Sequence, residues 1–421
     1  VTHGIILKEL SVDSVFSSIN GLIVDKKKRL KLQKLSLKNF FHTNSVSTKN
    51  IDDYREKLLQ FSFTPNSFKT HLPKSLRILH VTNFNERHDG RLFFNTGRRL
   101  NNGFIRLGHS VLEFSDRDII KHYKSLKDYT GSKTLNQKLI NTVYNYKPDL
   151  LIFGHADLIK DNTLAYLKDN YKNLKIAQWF LDPLIKNGPD FIKNKARILD
   201  KIELTDANFV TTSPDALSFL PKNKKSLFMP NPTDPSFEVL NNYENNQCSM
   251  DVFFALSHGV HRGILKRGKY DERADFVNRL VEITPNVKFD LYGINNIQPI
   301  WADSFLKSLA NAKMGVNLSR GSPIKYYSSD RITQLIGNGL LTFIHEDTHY
   351  NNFFSNKEVI FYNNISSLSA QIQKFAKDDF LRKKIARKGK EKYMKYFNST
   401  IVADYIINNT FSLNYKKNKY L

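Results

Sequence analysis

The sequence contains little cysteine, no long apolar run and few acidic residues for its length. Its one cysteine, Cys248, excludes an internal disulfide framework and fits a reducing compartment. Because no run of about 18 consecutive apolar residues occurs, we predict no membrane-spanning helix. Acidic residues number 40 against 64 Lys and Arg, which gives a formal net charge of +24. This excess favours an anionic partner, such as nucleic acid, an anionic membrane surface or a phosphorylated substrate.

The length and apolar content of the chain provide for two domains. The chain has 421 residues, of which 40% are hydrophobic and 12% aromatic, as in globular proteins. A domain has roughly 150 residues as a first expectation, so the chain exceeds one typical core.

Apolar segments with strand character form two series, each alternating with helical segments. The first series comprises 75–84, 109–115, 148–157, 174–183 and 207–213. A segment with three prolines, 227–237, reads as a linker, and the second series follows at 248–257, 287–293, 312–320, 340–346 and 358–362. This alternation predicts parallel sheets with crossover helices. Two Rossmann-like halves would leave a cleft between the carboxyl ends of their strands, where open α/β sheets bind ligands.

Two basic segments, 25–34 and 381–397, carry apolar residues at helical spacing. Such helices can lie on anionic lipid or can simply be solvated, and the sequence leaves both readings open. The order of amphipathic helix, Asp-containing break and basic helix occurs both in 14–40 and in 367–397. We therefore expect residues 1 to about 70 to be a helical extension, the tail of a preceding, similar catalytic domain. The alternative is two unrelated basic helices.

The stretch 326–349 predicts a short helix followed by a buried strand. Residues 328–330 are good N-caps, an apolar stripe follows, and Gly-Asn-Gly at 337–339 ends the helix before a strand at 340–344. Arg331 lies in the first turn, where the guanidinium and free backbone N–H groups can bind an anion. The alternative is an ordinary α/β unit with a solvated Arg.

The second series carries motifs of a known family. The segments "DVFFALSHGVHRG", "LYG", "MGVNLSR" and "SSDRITQLIGNGLLTF", with the basic C-terminal helix, resemble the donor-binding half of group-1 glycosyltransferases, in a CgeB-like branch. The resemblance covers roughly residues 76–410 and is firmest over 250–345. It implies an α/β, GT-B fold, in which two Rossmann-like domains face each other across a cleft, here with an N-terminal helical extension. The implied boundaries are 1–70 for the extension, 71–230 for the acceptor domain, 231–395 for the donor domain and 396–421 for a C-terminal helix and tail.

The resemblance assigns donor contacts to the segment around Arg331. The family's donor-facing Arg falls on Arg331, and its glycine falls on Gly339. The acid that commonly holds the donor ribose falls on Gln334, an amide that can bond a hydroxyl but carries no charge. The family's upstream acid corresponds to Tyr326, so this chain has no acid at that position. This puts a mechanism that depends on an acidic pair in doubt.

The leaving phosphate of a nucleotide-sugar needs its developing charge stabilised, which GT-B enzymes generally do without a metal. Arg262 and Lys266 are the candidates for diphosphate contacts. They could also be surface charges. Ser257, His258 and Gly259 lie at the strand-to-helix turn that would approach the phosphates. We expect neither a metal nor a cofactor beyond the nucleotide-sugar substrate.

The acceptor hydroxyl needs a base if the reaction inverts the configuration. The loop after the first strand supplies His88 or Asp89 as first choices, with Asp182 at a strand end as a further candidate. Acceptor contacts are predicted from side chains in the same loop and at strand ends: Arg91, Arg98, Arg99, His155, Asp157 and Trp179. Trp179 either stacks on a sugar or belongs to the core, and Asp182 could be only a turn residue.

The sequence thus predicts a nucleotide-sugar-dependent glycosyltransferase acting on a growing bacterial surface polysaccharide of lipopolysaccharide O-antigen or capsule type. Its acceptor would be a glycan or lipid-linked glycan. The enzyme would be located in the cytoplasm or at the inner face of the membrane. The alternative is a non-catalytic glycosyltransferase-like module of a larger protein. Specific nucleic-acid binding has only the net charge in its favour, because no known recognition motif is present. Retention or inversion stays open.

Overall fold

The computed structural model describes residues 11–36, 75–186, 188, 190–257 and 271–413. The chain divides into two compact units, Val1–Lys69 and Thr70–Leu421. In the first, α1 (Val12–Val24) begins at the N-cap Ser11, whose hydroxyl accepts a hydrogen bond from Ser14 N–H. A second helix, α2, covers residues 26–36. Along α1 an apolar stripe at helical spacing is exposed to solvent: Val12, Phe16, Ile19 and Ile23.

The second unit contains two parallel sheets. The first sheet, which with its helices we call the first domain, has the strand order β2-β1-β3-β4-β5-β6. Its strands are β1 (Arg77–Thr82), β2 (Ser110–Ser115), β3 (Leu150–Gly154), β4 (Lys175–Phe180), β5 (Ala207–Val210) and β6 (Ser226–Phe228). Its helices are α3 (Thr96–Arg106), α4 (Asp116–Tyr123), α5 (Ser132–Tyr146), α6 (Asp161–Asn170) and α7 (Phe191–Ile202). Short 3-10 turns occur at Glu86–His88 and Pro214–Ala216.

The second sheet, the centre of the second domain, has the order β11-β10-β9-β7-β8. Its strands are β7 (Met250–Ala255), β8 (Phe289–Tyr292), β9 (Ala312–Asn317), β10 (Leu341–His345) and β11 (Ile360–Tyr362). The helices are α8 (Glu272–Glu282), α9 (Ala302–Ala310), α10 (Arg331–Gly337), α11 (Ile365–Lys377) and α12 (Asp379–Phe397), with 3-10 turns at Glu346–Thr348 and Tyr350–Asn352. Both sheets have the same strand order, in which the first strand of the sheet lies between the second and the third. The chain therefore adds strands first on one side and then on the other, and the order of connection reverses between the first and third strands. Ligands of such sheets bind at this reversal, so the segments after β1 and β7 are the places to examine.

The last described helix, α13 (Ser399–Thr410), returns to the first domain. Its apolar residues Val402, Ala403 and Ile406 belong to the core formed by β1, β3 and α3. The helix backbones approach so closely that a Cβ on Gly103 would lie 2.1 Å from the carbonyl oxygen of Ser399. Glycine at position 103 is therefore a condition for seating α13.

The prolines of 227–237 led us to expect a linker, and the structure corrects this in part. Residues 226–228 form β6 at the edge of the first sheet, paired with β5. The residues that follow are fixed: Asn231, Thr233 and Asp234 are fully buried. Thr233 exchanges backbone hydrogen bonds with Phe397 and Ser399 at 3.0 and 2.7 Å. The connection between the domains is thus part of their packing.

The basic segment 381–397 corresponds to α12, which packs on the second domain through half of its surface. Arg382 and Lys390 are buried along with Ile385 and Tyr393. The Lys390 ammonium donates to the carbonyl oxygen of Leu240 at 2.6 Å, and burial lowers the pKa of Lys390 to about 8. Only part of the predicted basic face is left to solvent. Within the described ranges no helix is both long and apolar enough to cross a bilayer.

Candidate active site

A cavity of about 240 Å³ lies where the carboxyl ends of the two sheets meet. The loop after β1, the end of β7, the start of α9 and one side of α10 surround it. Its polar lining comprises Asn85, Arg91, Asn95, Arg99, Glu238, Ser257, Asp330, Gln334 and Asn338. Its aromatic lining comprises Phe94, Phe237, Trp301 and Phe305. Amides and paired charges beside flat apolar faces suit a polar ligand that contains a ring.

The loop after β1 is shorter than the sequence suggested, because α3 begins within it. The Asn95 side chain caps α3 by accepting from Arg98 N–H at 3.0 Å. Arg98 and Arg99 are therefore helical residues. The Arg98 guanidinium lies over the rings of Phe84 and Phe93, at 5.2 and 4.9 Å, and pairs with Glu113. These contacts give Arg98 a structural role in the loop, and its predicted acceptor contact stays a prediction.

Arg99 is 1% exposed and forms a buried ion pair with Glu238 from the connecting segment. Its Nη2 lies 2.6 Å from Glu238 Oε1, and its Nε lies 3.2 and 3.3 Å from the two carboxylate oxygens. Glu238 also accepts from Asp234 N–H at 2.7 Å. The pair joins α3 to the interdomain connection, so Arg99 is not the open loop residue we expected, although it does line the cavity.

Of the candidate bases, His88 ends the 3-10 turn Glu86–His88 and Asp89 follows it. The turn is held by Asp118, which accepts from Glu86 N–H at 2.8 Å and pairs with Arg87 at 2.8 Å. Partial burial, together with the positive charges of Arg87 and Arg91, lowers the pKa of His88. A lowered pKa keeps the imidazole neutral near pH 7, as a base requires. Arg91 lines the cavity, whereas His88 and Asp89 lie outside its lining.

The polar residues at the ends of β3 and β4 come together as a network. His155, with φ 55°, stacks on Phe180 at 4.6 Å, and its Nδ1 lies 3.4 Å from Asp182 Oδ2. Arg197 of α7 bridges Asp157 at 3.2 Å and Asp182 at 3.4 Å. Burial lowers the pKa of His155, although Asp182 opposes this shift. The structure thus brings together three predicted residues, His155, Asp157 and Asp182, with Arg197, which the sequence analysis did not single out.

Trp179 is a core residue, which decides between the two readings of the sequence. It is buried among Leu100, Phe104 and Phe209, and its indole N–H donates to His80 Nε2 at 3.0 Å. Burial lowers the pKa of His80 to about 4, so its ring is neutral and accepts this hydrogen bond. A tryptophan held in this way has no face for a sugar, and the expected stacking role is wrong.

Arg331 lies at the reversal point of the second sheet, beside the ends of β7 and β9. Its Nη2 donates to the carbonyl oxygen of Ala255 at 2.9 Å and its Nη1 to that of Leu318 at 2.5 Å. Burial and the neighbouring Arg273 lower the pKa of Arg331 to about 10. The guanidinium therefore ties the end of β7 to the end of β9, and a donor contact would come in addition to this role.

The other predicted donor residues divide into three groups. Gln334 and Ser257 line the cavity, and Gln334 Nε2 lies 3.3 Å from Asp330 Oδ2. Gly339, with φ +78°, ends the α10 segment in a left-handed turn, and a Cβ there would lie 2.7 Å from Tyr243. This conformation and close packing explain why a glycine stands there, and the predicted donor contact stays a prediction. The remaining donor candidates lie outside the described residues: His258, Gly259, Arg262 and Lys266.

The sequence interpretation missed several lining residues. Trp301 precedes α9, and its side chain lines the cavity with Phe305 one turn later. One signal was available, since Trp301 is one of two tryptophans in the chain and closely follows Pro299 in a segment with no apolar periodicity. No pattern in the sequence indicates that Glu238 belongs to the site. Among the described residues no group of three or more His, Cys, Asp or Glu is placed to hold a metal ion.

Comparisons with known proteins concern a family model, solved structures and curated sequences. Residues 272–408 match a family model described as "Glycosyl transferase-like". Among solved structures, sucrose-phosphate synthase from Thermosynechococcus elongatus is similar with a TM-score of 0.56 and 11% identity, over 80% of this chain and 99% of that one. HepE from Anabaena in complex with UDP is similar with a TM-score of 0.51 and 10% identity, over 80% and 100%. A search of curated protein sequences finds no significant match. The structural likeness confirms the predicted arrangement of two Rossmann-like domains.

Proposed function

We propose that this chain, a nucleotide-sugar-dependent glycosyltransferase of the GT-B fold, extends a bacterial surface polysaccharide of lipopolysaccharide O-antigen or capsule type. The enzyme class is supported by the family match over 272–408 and by the fold. The single observation that supports sugar transfer most directly is the cavity between the two sheet ends. It lies at the reversal points of both sheets, where two substrates bound to different domains can meet.

The donor belongs with the second domain. Its diphosphate would approach the segment after β7, where Ser257 lines the cavity and Arg262 and Lys266 follow in sequence. Basic side chains there would stabilise the charge that develops on the leaving phosphate. UDP is the first nucleotide to test, because HepE was solved with UDP.

The acceptor belongs with the first domain. Its hydroxyl would lose a proton to His88, Asp89 or Asp182, all of which follow strands of the first sheet. Arg91 lines the cavity, and the cluster of His155, Asp157 and Asp182 lies at the same sheet edge. Polar groups there could bind the hydroxyls of a glycan or lipid-linked glycan. The stereochemistry of transfer depends on which base acts, and is not part of the proposal.

The second candidate is a non-catalytic binding module. It is favoured by the two positions where the resembling family has acids and this chain has Tyr326 and Gln334. Tyr326 packs on Phe228 and Phe353 with ring centroids 5.0 and 4.7 Å apart, so it supplies no carboxylate to the cleft. Such a module would bind a nucleotide-sugar without transferring the sugar.

A thermal-shift panel of UDP, GDP, CMP, ADP and their sugar conjugates tests the donor class. We expect one nucleotide to raise the melting temperature of the wild type, since a ligand at about 100 times its Kd stabilises the folded state by about 2.7 kcal/mol. Gln334→Ala, which removes an amide from the cavity lining, should reduce this shift. Gln137→Ala on the exposed side of α5 is the matched control and should leave the shift unchanged.

Two outcomes of this panel discriminate between the readings. If no nucleotide shifts the melting curve at millimolar concentration, the transferase proposal loses its donor. If a nucleotide-sugar binds but sugar release and transfer to glycan acceptors are both absent, the binding module becomes the better conclusion.

We further propose that the enzyme attaches peripherally to the inner face of the membrane through its N-terminal extension. The exposed stripe of α1 includes Phe16 and Ile19, and the adjoining helix α2 contains six Lys or Arg between residues 26 and 34. Phe16→Asp is expected to weaken co-sedimentation with vesicles of anionic lipid, while Leu126→Asp, at a still more exposed apolar site of the first domain, is not. Equal binding by both variants would exclude α1 as the attachment site. Whether the extension ends a preceding glycosyltransferase domain can be read from the coding sequence upstream of residue 1.

A further inference from the structure

Two buried hydrogen-bond donors in the cavity wall lack partners within the described part of the chain. They are Nη1 of Arg99, which comes from the first domain, and the indole Nε1 of Trp301, which comes from the second. Buried polar groups in native proteins are nearly always paired, so unpaired donors on two residues that line one cavity suggest a ligand group that pairs with them in the working state. Because the donors belong to different domains, one bound molecule could contact both.

The Arg99 guanidinium is fixed before any ligand arrives. Glu238 holds Nε and Nη2, and the ring of Phe237 lies 5.4 Å from the guanidinium carbon. These contacts use one edge of the planar group and leave Nη1 without a partner among the described residues. A donor held in a fixed direction loses little conformational entropy on binding, which favours selectivity.

The chemistry of the lining favours a neutral oxygen as the partner of Arg99. Within the lining the positive charges of Arg99 and Arg91 are matched by the negative charges of Glu238 and Asp330. A phosphate would meet two carboxylates there, whereas a hydroxyl can accept from Arg99 and donate to Asp330 or to the amide oxygen of Gln334. The aromatic rings beside these groups suit a flat base, and a carbonyl oxygen on that base could accept from Trp301. At about 240 Å³ the cavity is the size of part of a ligand.

We propose that Arg99 is a specificity-determining contact, contributed by the first domain, that reads a ribose hydroxyl of the donor nucleotide. Trp301 holds the base from the second domain. The inference rests on the proposed function, because it assumes a nucleotide-sugar donor. It adds that the nucleotide is recognised by both domains, so that donor binding also fixes the first domain, which carries the acceptor residues.

The test compares UDP with 2′,3′-dideoxy-UDP in binding to the wild type, Arg99→Lys and Trp301→Phe by titration calorimetry. The wild type should bind UDP about tenfold more tightly, as expected for the loss of a hydrogen bond to a charged donor. Arg99→Lys keeps a positive charge beside Glu238 but removes Nη1, so the ratio should fall to about twofold or less. Trp301→Phe keeps an aromatic ring but removes the donor to the base, so it should weaken both nucleotides by the same factor and preserve the ratio.

The outcomes separate this inference from the function on which it rests. Equal binding of the two nucleotides by the wild type would overturn the inference and leave the transferase proposal intact. A ratio that Arg99→Lys leaves unchanged would also overturn it, because a purely structural Arg99 would affect both nucleotides alike. If the wild type binds no UDP, a UDP-sugar donor is excluded together with the inference. Should Arg99→Lys not fold, the wild-type comparison still decides whether the hydroxyls are read.

Discussion

Replacing Glu238 by leucine is expected to lower the free energy of unfolding of the Thr70–Leu421 unit by about 3–5 kcal/mol. The change leaves the Arg99 guanidinium buried without its counter-charge, and breaking one side of a buried ion pair has a cost of this order. The carboxylate also accepts from Thr233 Oγ1 at 3.2 Å and from Asp234 N–H at 2.7 Å, and both donors would lose their partner. Urea denaturation followed by circular dichroism measures the change.

A solvent-exposed pair is the control for the loss of charge alone. Arg279 and Glu282 on α8 lie 3.0 Å apart with about two thirds of each side chain exposed. Because such pairs contribute little, Glu282→Leu should change stability by less than about 1 kcal/mol. The double variant Arg99→Leu with Glu238→Leu removes both charges and should recover part of the loss. If Glu238→Leu is no more harmful than Glu282→Leu, water reaches the pair and Arg99 is not held as we describe.

The strands were predictable because their sequences are continuous apolar runs between turn residues. The segments 75–84 and 248–257 contain β1 and β7, and the helix and strand in 326–349 are confirmed as α10 and β10. The sequence did not predict the strand β6 (Ser226–Phe228), which is only three residues long and precedes three prolines. Prolines usually mark a linker, but here they lie where the chain is packed between two domains and needs few backbone donors. A local sequence pattern carries no information on packing between domains.

The position of the site in the fold could be predicted from the sequence better than the contacts that its side chains make. Parallel strands deliver their carboxyl ends to one edge, so His155, Asp157 and Asp182 could be expected together from their positions in the strands. The Arg99–Glu238 pair could not, since 139 residues separate its members and no local pattern links them. Trp179 shows the same limit, because its indole N–H is bound by His80, which is 99 residues away.

Replacing Gly103 by alanine is expected to destabilise the protein by about 2–3 kcal/mol or more, although alanine is the better helix former. Intrinsic propensity alone would favour alanine in α3 by about 1 kcal/mol. The added Cβ, however, would lie 2.1 Å from the Ser399 carbonyl oxygen and 2.9 Å from the Ala403 Cβ. A backbone carbonyl cannot rotate away as a side chain can, so α13 must shift as a whole and lose its fit against Leu100 and Phe104.

Gly21→Ala in α1 is the matched control, because a Cβ there meets no atom within 4 Å. It should leave the unfolding transition of the Thr70–Leu421 unit unchanged and can only gain from helix propensity. Hydrogen exchange would locate the effect of Gly103→Ala, which should first appear as lost protection in α13 and the facing side of α3. A stabilising effect of Gly103→Ala would show that α3 and α13 are not in backbone contact. The C-terminal helix would then not be seated in the core of the first domain as described.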